Sequence, residues 1–218
     1  MQGRRTTWRV GGIGLIACGV IGIIRGSMLG MPGGGALTLV ADLLWAAAVL
    51  VFAIGASRDA SVVARKPLGL AAMAIVAVWP PIHTVVGLIA PGPQTLAEAN
   101  DWLFWWYLSL ALPVIAGLIA AVQIGRAGTV PRPWNWAPLW VLAGQVVLWV
   151  VPQVVGIAAP EALLQAPGLL AATGTLGFLA GTLGLGILAV VVAARAPAGT
   201  VEIFRSAASG TYDENAAS

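Results

Sequence analysis

Residues 36–56 read Ala-Leu-Thr-Leu-Val-Ala-Asp-Leu-Leu-Trp-Ala-Ala-Ala-Val-Leu-Val-Phe-Ala-Ile-Gly-Ala. As a helix rising ~1.5 Å per residue, this run spans the ~30 Å of a bilayer's hydrocarbon core, with Asp42 as its lone ionisable side chain. Runs of the same kind lie on either side of it. They predict membrane helices at 9–29, 36–56, 67–90, 100–124, 137–158 and 167–193. Gly and Pro punctuate the intervening breaks, as in Met31-Pro32-Gly33-Gly34-Gly35 and Pro91-Gly92-Pro93.

The composition agrees with that reading. Of 218 residues, 59% are hydrophobic and 9% charged, whereas a soluble domain carries roughly a quarter charged residues. A water-soluble globule is excluded. The loops are too short to bury cores of their own, so the expectation is one all-α domain over residues 1–195. It is a polytopic integral membrane protein built as a bundle of six transmembrane helices, followed by a flexible cytoplasmic tail at 196–218 that lacks apolar periodicity.

Charge sets the expected orientation. With the N-terminus inside, Arg4, Arg5, Arg9, Arg58, Arg65, Lys66, Arg126, Arg132, Arg195 and Arg205 fall on the cytoplasmic side, and only Arg25 falls outside. This is the positive-inside pattern of an N-in, C-in chain. Trp102, Trp105 and Trp106 then anchor the outer interface, and Trp8, Trp134, Trp136 and Trp140 the inner one. Arg in place of nearly all Lys, with abundant Ala and Gly, suggests a GC-rich bacterial source and hence the inner membrane. The net charge of +3 reports orientation and does not imply nucleic acid.

The segment Leu15-Ile16-Ala17-Cys18 resembles the lipobox at which bacterial lipoproteins are cleaved and acylated. The resemblance covers four residues, and the apolar run continues through Ile24, so an ordinary cysteine in a first helix is the simpler expectation. A single cysteine excludes an internal disulfide and a thiol redox pair.

Polar side chains inside a bilayer are either paired or functional. Arg25, Asp42 and His83 each lie roughly 6–10 Å from the outer ends of helices 1, 2 and 3, and Gln153 on helix 5 has a similar height. Thr173 and Thr175 on helix 6 join that layer. The concentration of polarity on one side predicts an outward-facing pocket rather than a continuous pore, with Arg25, Asp42, His83 and Gln153 as its ligand or proton site. Arg25 suits an anionic group. Asp42 and His83 suit a proton relay, because histidine is the side chain whose charge changes near neutral pH. Pro80 and Pro81 release the carbonyls of Val76 and Ala77 to bind water, a cation or a side chain. An alternative needs no ligand: Arg25 snorkels to the headgroups, Asp42 neutralises it, and His83 donates to a released carbonyl.

Gly177 and Gly181 on helix 6, with Gly22 and Gly26 on helix 1, have the spacing of close helix contacts, so these two helices are expected to close the bundle or meet another subunit. No Walker, Rossmann, zinc-protease or nucleophile-elbow motif is present, which leaves no cofactor, no metal ligand set and no catalytic residue to assign. An enzyme acting on a lipid would need His83 as general base oriented by Asp42, and no nucleophile accompanies them. Two function classes remain. One is a carrier or binding protein for a small solute or lipid headgroup. The other is a non-catalytic accessory subunit with a membrane protein partner, or a homo-oligomer.

The orientation is testable with single cysteines in a Cys18→Ala background. A membrane-impermeant maleimide should label Glu161→Cys on intact cells, and Arg132→Cys only after permeabilisation. The reverse pattern would invert the topology.

Overall fold

The computed structural model describes residues 2–27, 33–57, 60–90, 96–132, 134–159, 161 and 168–195. Among these residues there is no strand, and six helices are long and apolar enough to cross a membrane. They are α1 (Gln2–Ser27), α2 (Gly34–Ile54), α3 (Pro67–Ile89), α4 (Leu96–Ala127), α5 (Ala137–Ala158) and α6, which runs from 168 to 195. A single 3₁₀ turn, Trp134–Trp136, leads into α5. Helix α6 is interrupted by a π-helical stretch at Ala180–Gly184. The expected tail at 196–218 lies outside the described residues.

Consecutive helices pack against each other, and α1 returns to α6 to close the ring. Small residues set the spacing. Much of the core is alanine, including Ala41, Ala48, Ala53, Ala72, Ala77 and Ala120, which lets backbones approach as they do between membrane helices. The closest approach joins α1 to α6. A Cβ added to Gly12 would stand 2.9 Å from the Gly186 carbonyl oxygen, and one added to Gly186 would stand 2.9 Å from the Gly12 oxygen.

Helix α1 begins well before the expected position 9, because its first turns are tied to the loops. The Thr7 hydroxyl accepts the Ala56 N–H at 3.0 Å, and Arg4 donates to the Thr129 carbonyl. The loop after α2 is buried as well, with Ala60, Ser61 and Val63 fully enclosed. Its burial follows from the carbonyls that end α2, which have no partners within the helix. The Val62 N–H takes the Phe52 oxygen at 3.0 Å, and the Ser61 hydroxyl takes that of Ala53 at 2.5 Å. Arg65 bonds the Ile54 oxygen through Nε at 2.9 Å and the Gly55 oxygen through Nη2 at 3.0 Å. Reaching those oxygens puts Ala64 and Arg65 at φ 50 and 53, a region costly for residues with a Cβ. The turn also requires Gly55, where a Cβ would lie 2.5 Å from the Ser61 nitrogen.

Prolines and indoles connect the middle helices. Pro80 in α3 leaves the Val76 carbonyl without its helical donor, and Trp45 of α2 supplies one through Nε1 at 3.2 Å. Pro113 in α4 does the same to Ser109, whose carbonyl accepts Trp79 Nε1 of α3 at 3.2 Å. At the edge of the π-helical stretch in α6, the Gly177 carbonyl accepts Gln145 Nε2 of α5 at 2.8 Å.

Trp79→Phe keeps the ring and removes the donor, so it should cost about 1–2 kcal/mol in equilibrium unfolding from mixed micelles. In a Pro113→Ala background, the new amide at 113 takes the Ser109 oxygen and the cost should fall by half or more. Equal losses in both backgrounds would show that the indole bond contributes nothing.

Candidate functional site

The basic residues at the start of α1 and the loops after α2 and α4 define one end of the bundle, and the polar layer lies toward the other. Its centre is Asp42, half-buried on α2, whose Oδ2 accepts the Thr84 hydroxyl of α3 at 2.5 Å. Val76, Pro80 and Thr84 recur at four-residue spacing and so share a face of α3. The Trp45 bond to Val76 turns that face toward α2, which brings Thr84 to Asp42. His83, one residue earlier, projects about 100° away around the helix and is exposed.

Arg25 and His83 are both near enough to Asp42 to act on its charge through space. The structure therefore brings three of the four expected residues into one neighbourhood. Neither makes the hydrogen bond to Asp42, which belongs to Thr84. The Arg25 guanidinium instead lies 5.8 Å over the Phe178 ring of α6, a cation–π contact. Among the described residues it forms no ion pair. That ring packs against α1 at Gly22, where an added Cβ would lie 2.1 Å from it.

Gln153 stands apart. It is exposed and lines a crevice of about 270 Å³ with Thr173, Pro152 and Phe178, between α5 and α6. Phe178 touches both places, meeting Arg25 and lining the Gln153 crevice. Thr175 is exposed, and its hydroxyl returns to the Ala171 carbonyl of its own helix at 2.8 Å.

The glycine stripes are used differently from the expected pairing. Gly177 and Gly181 face Gln145 of α5, not α1, and a Cβ at Gly26 would meet nothing within 4 Å. Of the four, only Gly22 serves the contact between helices 1 and 6, which rests chiefly on Gly12 and Gly186. Cys18 lies in mid-helix, 1% exposed, with its thiol directed at the Ala41 carbonyl at 3.3 Å.

Chemically, the neighbourhood offers a guanidinium with donors for an oxyanion and a carboxylate that is held but not neutralised by contact. Among the described residues, no three His, Cys, Asp or Glu side chains group together as metal ligands would. Thr84 could have been found from the sequence by following the face that carries Pro80. Comparison with known proteins adds no further constraint, since no family model, no curated protein and no solved structure matches the chain.

The hydroxyl-to-carboxylate bond predicts coupling between its partners. Thr84→Val and Asp42→Asn should show an interaction of about 0.5–3 kcal/mol in a double-mutant cycle of unfolding free energies, and Thr84→Ser should retain it. Additive losses would mean that the two side chains are independent.

Proposed function

We propose that this chain is a multi-pass protein of a bacterial inner membrane with both termini in the cytoplasm, acting as a carrier or binding protein for a small solute or lipid headgroup that bears an anionic group. The observation that carries this reading is Arg25, a guanidinium within electrostatic reach of Asp42 that makes no ion pair among the described residues. A cation at such a depth is costly to leave without a counter-charge. A phosphate or carboxylate accepts a guanidinium's forked donors well, and Asp42 with Thr84 offers acceptors for an amine or hydroxyl on the same ligand. His83, exposed on the next residue of α3, offers a ring nitrogen to the same ligand.

Purified protein in detergent should gain thermal stability from a short-chain phosphatidylglycerol if the ligand is a headgroup, or from inorganic phosphate if it is a free anion. Arg25→Gln should weaken the response by about tenfold, the scale of one lost charge-assisted contact. An unchanged response in Arg25→Gln would overturn the reading.

A second reading, a non-catalytic accessory subunit, is favoured by α5. Its only buried residue is Pro152, while Ile157 and Trp140 are 86% and 75% exposed. This reading predicts a stable heteromeric mass in native mass spectrometry after gentle extraction. A bare monomer would count against it.

A further inference from the structure

Beneath the polar layer, all six helices surround a cavity of about 360 Å³, within the range of small-molecule sites. Its walls are almost wholly apolar. Met73, Ala120 and Ala189, each under a tenth exposed, line it from α3, α4 and α6. Of the two polar side chains reaching its middle, Trp45 gives its N–H to Val76 and Gln145 gives one of its two amide hydrogens to Gly177. Water needs two or more polar partners to occupy a cavity, and a lining this apolar offers few. An empty space of this size forfeits the dispersion contacts of its lining.

Trp8, Val62, Val130 and Trp134 line the cavity toward the basic end, and Trp45 and Pro80 stand toward the polar layer. The thinnest wall is lateral. Helix α4 meets α5 more sparsely than any other two consecutive helices meet, and Gly117 and Leu142, which face each other there, both line the cavity. We infer that this cavity binds the hydrocarbon chain of a membrane lipid or free fatty acid, admitted from the bilayer between α4 and α5. The surrounding medium supplies the occupant, and the dry lining selects a chain over a polar solute. The inference rests on the membrane placement proposed above and is independent of the role of Arg25.

The test reconstitutes the whole protein in phosphatidylethanolamine and phosphatidylglycerol vesicles with palmitic acid carrying a chain-terminal diazirine, irradiates, and maps labelled residues by mass spectrometry. Lipid-facing Ile157 reports insertion, and buried Met73, Ala120 and Ala189 report occupancy of the cavity. Label is expected at both sets, and excess unlabelled palmitate should deplete the buried set first. Ala120→Phe fills the space and should lower Met73 labelling by about tenfold while sparing Ile157. Label at Ile157 without label at the buried set, or no preferential depletion by palmitate, overturns the inference even if Ala120→Phe fails to fold. No label at Ile157 would remove the membrane placement itself and this inference with it.

Discussion

A backbone carbonyl stripped of its helical donor is costly to bury unless another group bonds it, and the bundle is organised around that demand. Prolines at 80 and 113 create two such carbonyls, and indoles from the preceding helices satisfy them. Each bond fixes the rotation of one helix against the next. Trp45 on Val76 decides which face of α3 meets α2, and thereby selects Thr84 over His83 as the partner of Asp42. The same prolines and Trp45 border the central cavity. Site and cavity both descend from where the prolines fall.

Helix α1 is the strut between the two halves of the ring. Its glycines serve two faces: Gly11 and Gly14 take Phe52 and Ala48 of α2, while Gly12 and Gly19 take Gly186 and Leu183 of α6. With so little side-chain bulk, the axes come close and dispersion contacts accumulate on both sides. Helix α5 has no comparable small-residue face, and only Pro152 is buried along it. The asymmetry explains why the ring is tight around α1 and thin between α4 and α5.

Hydropathy was sufficient to read the six helices, because each is a long apolar run bounded by Gly and Pro like that at 36–56, and Pro80 identified Val76 as a carbonyl in need of a donor. The donor's identity was hidden, since it depends on the rotation of α2, which single-chain periodicity does not encode when nearly every face is apolar. For the same reason, depth put Arg25, Asp42 and His83 at one level but said nothing of Phe178, whose ring meets Arg25 and also lines the crevice of Gln153. The glycine stripe of α6 was visible as a close contact, yet at Gly177 and Gly181 its partner is Gln145 of α5, which spacing along one helix does not reveal. The buried loop at 60–63 was least legible. Its burial follows from the carbonyls ending α2, and those bonds draw on residues as distant in character as Ser61 and Arg65.

The cavity and the polar layer differ in what they could hold, and the boundary between them is narrow. Asp42 lies one helical turn beyond Trp45, and Thr84 one turn beyond Pro80, so roughly 5 Å of packed indole and proline separates a charged neighbourhood from an apolar one. A carboxylate facing the cavity directly would carry water into it and dissolve the distinction. Thr84 holds the carboxylate against α3 at the level above, while the Trp45 N–H is committed to Val76. The carbonyl released by Pro80 therefore also holds the indole that stands between the apolar space and the charged one.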